Sequence, residues 1–276
     1  MTHNSAVLFW KNVKVFGWLN FEDVKFFQFF LEELNILKVS GDVLEIGAHF
    51  GRTSIWLDTL ILDSDKLHIC DIFENQNLIT DPENLNEVSE DYKKLFPTRA
   101  IFEKNFSTYG KKKPIIYQME SKFLEFELLD RSFKFIHIDG AHTFQAVNTD
   151  LNISLVKICE NGIIVMDDYR NYGALGVAQV FWSVIFEKKL KLVLLTEAKA
   201  YFTFGNDNSY LENLEKFMKQ HSIQYYKESI NGDFFLRNKY KLMPQKHLFL
   251  KRILPVGLYV LISRIKFKFI KIFASL

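Results

Sequence analysis

A doubly wound, mostly parallel α/β sheet is the fold that the sequence predicts. Short, almost wholly apolar runs of strand length alternate along the chain with segments of helical periodicity. Strands without polar alternation are typical of parallel sheets that are covered by helices on both faces. The 276 residues, 48% of them hydrophobic, are enough for one large domain with an appendage.

The strand predictions rest on apolar runs that are bounded by Gly, Pro or acidic residues. These runs are VLEIG (43–47), LHICDIF (67–73), PIIYQMES (114–121), FKFIHID (133–139), GIIVMDD (162–168), KLVLLTE (191–197) and AYFTFG (200–205). The first five carry acidic residues at or near their carboxyl ends. Because ligands of parallel sheets bind beyond these ends, the pattern predicts a functional site at this edge.

Helices are predicted where apolar residues recur every three to four positions. This spacing is found at 22–37, 52–61, 123–129, 143–158 and 175–188. Thr143 is a suitable N-cap for the fourth of these helices, and its apolar face extends from Val147 to Ile158. Asn161 and Gly162 are expected to close it.

Four segments are expected along the chain. Residues 1–40 form an N-terminal helical segment, and residues 41–205 form the core, with a lid-like insertion at about 74–113. Residues 206–247 add a helix and a hairpin. Residues 248–276 form a basic amphipathic tail.

The charge distribution points to an anionic partner for the tail. Residues 234–276 contain ten Lys and Arg and no Asp or Glu, while the rest of the chain is acidic. The tail contains no apolar run long enough to span a bilayer, but its pattern suits a helix lying on an anionic membrane surface. The alternative is a helix docked on the protein or on a second subunit of a homo-oligomer. Nucleic acid is not expected, because the basic residues do not lie on the folded body.

The turn after the first strand predicts a cofactor site. It reads E45-I-G47-A-H-F-G51 and lacks the G-x-G-x-x-G of dinucleotide-binding folds. Its glycines allow a ligand to approach the backbone, while Glu45 disfavours a pyrophosphate and suits a cationic group. Asp71, at the end of the second strand, is placed to accept hydrogen bonds from ribose hydroxyls. An adenosine cofactor that carries an ammonium or sulfonium group satisfies both features.

The segments LEIGAHFGRTS, CDIFENQ, FIHIDGAHTFQAVNTDL and NGIIVMDDY resemble class I S-adenosylmethionine (SAM)-dependent methyltransferases over roughly residues 40–205. The resemblance is to metal-dependent O-methyltransferases of glycan and antibiotic-sugar pathways. It implies a Rossmann-like sheet of seven strands with the last antiparallel. It also implies cofactor contacts, which would come from Glu45, Gly47 and Gly51 near the methionine portion, Asp71 on the ribose, Ser121 near the adenine, and Asp139.

Three carboxylates predict a metal site. Asp139, Asp167 and Asp168 end two consecutive strands, and so should converge at one edge of the sheet. They would repel one another unless a cation lay among them, and oxygen ligands favour Mg²⁺. The resemblance implies that such an ion binds the acceptor hydroxyl and lowers its pKa. Alternatively, the Asp167–Asp168 pair only caps the following helix.

His142 is the preferred general base. It lies three residues after Asp139, across a Gly-Ala turn, at the position where the resembling catechol-type enzymes usually carry Lys. An imidazole can take a hydroxyl proton near neutral pH. Its other possible roles are metal ligand, sugar contact or solvated turn residue.

The predicted function is metal-assisted transfer of a methyl group from SAM to a hydroxyl of a sugar or glycan-linked acceptor. One alternative is a non-catalytic membrane-associated protein with a methyltransferase-like core. Another, disfavoured by the missing glycine motif, is a nicotinamide-dependent oxidoreductase. The N-terminus lacks the pattern of a secretion signal, so a cytoplasmic location is expected, with a peripheral position at the inner face of the membrane as an extension of it.

Overall fold

The computed structural model of the protein describes residues 4–80, 97–187, 190–205 and 209–239. Its helices are α1 (Asn4–Asn12), α2 (Phe21–Ile36), α3 (Arg52–Leu60), α4 (Arg99–Tyr109), α5 (Leu124–Leu128), α6 (Phe144–Lys157), α7 (Leu175–Glu187) and α8 (Ser209–Gln220). Its strands are β1 (Asp42–Ile46), β2 (Leu67–Cys70), β3 (Ile115–Tyr117), β4 (Phe133–Ile138), β5 (Ile158–Met166), β6 (Lys191–Leu195), β7 (Ala200–Thr203), β8 (Tyr225–Ile230) and β9 (Asp233–Asn238).

The strands form one sheet in the order β3-β2-β1-β4-β5-β7-β6-β9-β8. Strands β1 to β5 pair in parallel, and β7 lies antiparallel between β5 and β6. The predicted fold class and its antiparallel seventh strand are confirmed. The sheet has nine strands in its described part rather than seven, because the β8–β9 hairpin adds to the β6 edge.

Helices cover both faces of the sheet, as the apolar strands require. Along β4, Phe135 packs with the α2 and α3 side, while Ile136 and Ile138 pack with the α6 and α7 side. This alternation follows from the two-residue period of a strand. Many of the 28 phenylalanines lie in the first of these layers, where Phe27 of α2 contacts the Phe135 ring at 5.3 Å.

The sequence-based boundaries fail at one junction. Thr143 caps α6 as predicted, accepting a hydrogen bond from Ala146 N at 3.3 Å. However, the helix ends at Lys157, and Ile158 begins β5 instead of continuing the apolar helical face. Asn161, expected to close the helix, lies inside β5 in a left-handed conformation, with φ of +61°. Its N–H donates to the carbonyl of Phe204, and this bond joins it to the end of β7.

Two expectations fall wholly or partly outside the described residues. Of the lid-like segment 74–113, residues 81–96 are outside them, while α4 buries Phe102 and Phe106 in the core. The tail 248–276 also lies outside them. Within the described residues, no helix is both long enough and apolar enough to cross a membrane.

Backbone hydrogen bonds extend the parallel ladder by one residue beyond the strands. Gly47 N donates to Cys70 O at 2.8 Å, Asp139 N to Ile46 O at 2.8 Å, and Asp167 N to the carbonyl of Ile138 at 3.0 Å. The first residue after each strand is therefore fixed beside the next, and the polar residues predicted from the sequence form a rim at the carboxyl edge.

Gly47 is the position of closest backbone approach at this rim. Its φ is +84°, and a Cβ added there would lie 1.9 Å from the carbonyl oxygen of Asp139. Gly232, in the β8–β9 turn, has a similar φ of +90° but no atom within 4 Å of the equivalent position. The two glycines share a backbone conformation and differ in the space around it.

Asp150 of α6 is a buried carboxylic acid beneath the rim. It is 0% exposed, and its Oδ2 lies 3.2 Å from the position that a Cβ on Gly140 would occupy. Burial raises its pKa to about 7. The Ser121 hydroxyl acts in the opposite direction, but it lowers this pKa by less than burial raises it. Among the described residues, neither oxygen of Asp150 has a partner with the geometry of a hydrogen bond.

We predict that Gly47→Ala destabilises the protein far more than Gly232→Ala. The left-handed backbone costs alanine about 1–2 kcal/mol at either position. At Gly47 the clash with Asp139 adds to it, so the total should reach roughly 3 kcal/mol or more. Urea unfolding of both variants measures the difference, and equal losses would show that the close approach does not constrain the rim.

We predict that Asp150 makes stability fall as pH rises from about 4 to about 7. The folded protein holds the Asp150 proton more tightly than the unfolded chain, whose aspartates titrate near pH ~3.9, so this contribution is complete at low pH. Relative to the wild type, Asp150→Asn should gain roughly 2–3 kcal/mol of unfolding free energy between about pH 5 and pH 7. Exposed Asp130→Asn is the control. Parallel pH profiles for the wild type and Asp150→Asn would contradict the prediction.

Candidate active site

Asp71 holds the turn between β1 and α3 in place. Its Oδ2 accepts hydrogen bonds from Ala48 N and His49 N at 2.7 and 2.9 Å, and its Oδ1 accepts one from Phe73 N at 2.6 Å. Burial raises the pKa of Asp71, and these three donors counteract part of the rise. This carboxylate therefore shapes the predicted cofactor turn from within.

Gly51 closes the same turn at the start of α3. Its φ is +89°, and a Cβ there would lie 2.8 Å from the Phe102 ring of α4. Because α3 follows β1 through this short turn, its N-terminus lies at the carboxyl edge of the sheet, where its first N–H groups suit an anionic group such as a carboxylate.

Glu45 lies beneath the turn and is 1% exposed. Its Oε2 accepts a hydrogen bond from the Ser54 hydroxyl, and its Oε1 lies 3.1 Å from His137 Nδ1. His137 is fully buried, and its ring meets the edge of Phe27 at 5.2 Å. Glu45 and His137 thus form a buried polar layer below the predicted methionine site.

Asp139 and Asp167 are neighbours on the rim but have different charge tendencies. Burial raises the pKa of Asp139 well above its ordinary value, and the charge of Asp167 adds to the rise. Burial also acts to raise the pKa of Asp167, but Lys199 and His137 outweigh it and leave that pKa lowered. Asp167 is therefore the carboxylate that the protein keeps ionised.

His142 and Asp168 face each other at the mouth of the site. His142 Nε2 lies 3.4 Å from Asp168 Oδ2, and the two side chains are 30% and 28% exposed. Asp168 has a φ of +56°, which is uncommon for a residue with a side chain. Near them, a small pocket is lined by Asp139, His142 and Asp167, together with the apolar side chains of Ile138, Val147, Met166 and Val177.

The predicted metal ligands are divided between two groups of side chains. Among the described residues, His137, Asp139 and Asp167 form one group and Asp139, His142 and Asp168 form the other, each with possible ligand atoms within 4.8 Å of one another. Lys199 forms an ion pair with Asp167 in the first group. The second is half-exposed, and its carboxylates and imidazole suit a divalent ion.

Ser121 begins a 3-10 turn (Ser121–Phe123) after β3, and Asp150 lies behind it. Ser121 is half-buried, on the same edge of the sheet as Asp71. Its contact with adenine stays a prediction.

Four aromatic rings pack together on the outer side of the cofactor turn. Phe16 and Trp18 precede α2, while His49 and Phe50 belong to the turn itself, and neighbouring centroids lie 4.4–5.8 Å apart. Trp18 is 57% exposed. The segment is anchored by Arg52, whose Nη1 donates to Val15 O at 2.8 Å.

Sequence reasoning missed Lys199, Asp23 and the rings of Phe16, Trp18 and Phe50 as parts of the site. Lys199 stands immediately before the apolar strand β7, where a charged residue was a visible signal. Asp23 resembles an ordinary first-turn acid of α2, and only the packing of α2 on the sheet reveals its role. Tyr169, which follows the Asp167–Asp168 pair, is buried and donates its hydroxyl to Thr196 O at 3.1 Å.

Comparison with known proteins identifies the domain. Residues 44–169 match the family model described as a methyltransferase domain. No curated protein sequence matches the chain.

Solved structures share the fold at low sequence identity. The O-methyltransferase NovP is 11% identical, with a TM-score of 0.54, over 68% of this chain and 81% of that chain. Cofactor-bound Rv0187 from MTB is 12% identical, with a TM-score of 0.51, over 74% of this chain and 89% of that one. With the strand order, these findings show that the chain has the class I methyltransferase fold and that its residues 44–169 match a methyltransferase domain.

Proposed function

We propose that the protein transfers the methyl group of SAM to a hydroxyl oxygen of a sugar or glycan-linked acceptor. The observation that carries the proposal is the His142–Asp168 pair at the half-exposed mouth of the site. An acceptor hydroxyl must lose its proton as its oxygen is methylated, and an imidazole paired with a carboxylate can take that proton.

SAM supplies an electrophilic methyl group on a sulfonium. We infer that the glycine turn and the N-terminus of α3 hold its methionine portion, while Asp71 lies nearest its ribose and Ser121 its adenine. The carboxyl group of Glu45 lies buried under the turn, on the side where the sulfonium would lie. Catalysis is then largely alignment of the acceptor oxygen with the methyl carbon.

A divalent ion, Mg²⁺, is the second component of the proposal. Asp139 and Asp168 offer oxygen ligands, and the half-exposed position leaves room for water and for an acceptor oxygen. When bound, such an ion lowers the pKa of the acceptor hydroxyl.

The acceptor class is supported by the aromatic cluster at residues 16–18 and 49–50. A sugar ring offers C–H groups on one face and hydroxyls at its edge. The exposed Trp18 can pack against the former while polar groups at the rim bind the latter.

We propose two further partners. The outward positions of α6 and α7 carry no charge between their ends and expose Leu175, Trp182 and Phe186, which suits contact with a second copy of the chain. For the tail 248–276, we propose binding to anionic lipid at the inner face of the membrane, with the protein otherwise cytoplasmic.

His142→Gln is expected to lower kcat by roughly 10²–10⁴-fold while leaving the Kd for SAM unchanged. Calorimetry with SAM and transfer of labelled methyl to nucleotide sugars and glycan extracts measure both quantities. His221→Gln, at the end of α8, is the matched control. An unchanged kcat in His142→Gln would contradict the role of His142 as the base.

EDTA should abolish transfer and Mg²⁺ should restore it. Full activity in EDTA would contradict the metal part of the proposal and leave methyl transfer from SAM in place.

Two sedimentation experiments test the partner proposals: analytical ultracentrifugation of the free protein, and co-sedimentation with vesicles. The wild type should sediment as a dimer or larger species. Trp182→Glu should sediment as a monomer, because a two-fold interface would bury the new glutamate of one copy close to that of the other. Vesicles with phosphatidylserine should co-sediment with the protein, and neutral vesicles should not. A monomeric wild type, or equal binding to both vesicles, contradicts the respective proposal.

A further inference from the structure

The ammonium group of Lys199 lies beneath the acidic rim and is almost inaccessible to solvent. Lys199 is 2% exposed and its Nζ donates to Asp167 Oδ2, while Asp167 is 9% exposed. A buried ammonium is tolerated only where it is paired and hydrogen-bonded. The pair is therefore a permanent part of the folded site.

The sheet register brings these two residues together. Met166 of β5 pairs with Ala200 of the antiparallel strand β7. Asp167 follows Met166 and Lys199 precedes Ala200, so the next position along this register places them opposite each other.

The β6–β7 turn fixes Lys199 further. Thr196 N donates to Lys199 O at 2.8 Å, and Lys199 N donates to the hydroxyl of Thr196 at 3.0 Å. The Tyr169 hydroxyl holds the same turn through Thr196 O. The backbone of Lys199 is therefore held in place beside Asp167.

The charges of acids on three other elements also act on the Lys199 ammonium. Asp139 after β4 and Asp23 of α2 act on it together with Asp167. Asp23 is completely buried and accepts a hydrogen bond from the Tyr201 hydroxyl at 2.9 Å. His137 of β4 lies on the far side of Asp167, with its Nε2 3.9 Å from Asp167 Oδ2.

Both oxygens of Asp167 are already engaged. Oδ2 binds the ammonium and Oδ1 accepts the backbone N–H of Asp168 at 2.8 Å. Asp168 turns its carboxylate the other way, toward His142. The two adjacent aspartates thus serve opposite sides of the rim.

We propose that Lys199 is the resident cation of Asp167, and that a divalent ion is held by Asp139 and Asp168 without Asp167. This inference rests on the metal part of the proposed function and changes its ligand set. Mg²⁺ commonly uses one or two carboxylates and completes its shell with water and substrate oxygens, so two aspartates suffice. Lys199 is then a positioning residue, which keeps the rim assembled whether or not the ion is bound.

Binding of Mn²⁺ to the full-length protein, followed by electron paramagnetic resonance of the free ion, tests the ligand set without measuring activity. Asp168→Asn should weaken Mn²⁺ binding by roughly 10-fold or more. Asp167→Asn should weaken Mn²⁺ binding much less than Asp168→Asn does, because the Asp167 oxygens bind the Lys199 ammonium and the Asp168 N–H instead of the ion. Equal losses in the two variants would overturn the inference while leaving the metal site itself in place.

A paired variant covers the case in which Asp167→Asn does not fold, since that change leaves a buried ammonium unpaired. Lys199→Met with Asp167→Asn removes both charges and should keep Mn²⁺ binding closer to that of the wild type than Asp168→Asn does. The pair should also be less destabilised than the sum of its single changes. Additive losses would overturn the role of Lys199. A wild type that binds SAM but no Mn²⁺ would overturn both the ligand set and the metal part of the proposed function, leaving methyl transfer intact.

Discussion

The parallel register at the carboxyl edge is the constraint on which the site depends. Each chain segment leaves its strand with one more ladder hydrogen bond, so Gly47, Asp139 and Asp167 stand side by side before any side chain is considered. The carboxyl groups of Asp139 and Asp167 then differ in the side chains that lie beneath and beside them. A shift of one residue in any of these strands would turn an acid from the rim into the apolar layer.

Beneath the rim, the protein balances buried acids with few cations. Asp167 is kept ionised by Lys199, whereas Asp139 and Asp150 have raised pKa values because burial outweighs their favourable contacts. The same residue type thus takes different charge states within one edge of the sheet. This difference comes from burial and pairing, which are properties of the fold rather than of the local sequence.

The sequence was sufficient to predict the fold because apolar strands and helical periodicity are local patterns. It also predicted which edge carries the site, since Asp71, Asp139 and Asp167 directly follow strands. It could not reveal that Lys199 pairs with Asp167, because that contact depends on the antiparallel register of β7. Likewise, the end of α6 was misplaced at Ile158, since an apolar residue satisfies a helix face and a buried strand equally well.

The burial of Asp23 ties the N-terminal helices to the centre of the molecule. Asn20 caps α2 through Asp23 N, and Tyr201 of β7 donates its hydroxyl to the same aspartate. Residues before β1 therefore cannot be exchanged as an independent module between related enzymes. A chimera that imports a foreign N-terminal segment must also import an acid at this position, or it will leave Tyr201 and Lys199 without one of their partners. Exchange of this segment should therefore succeed only where the imported segment also carries an acid at position 23.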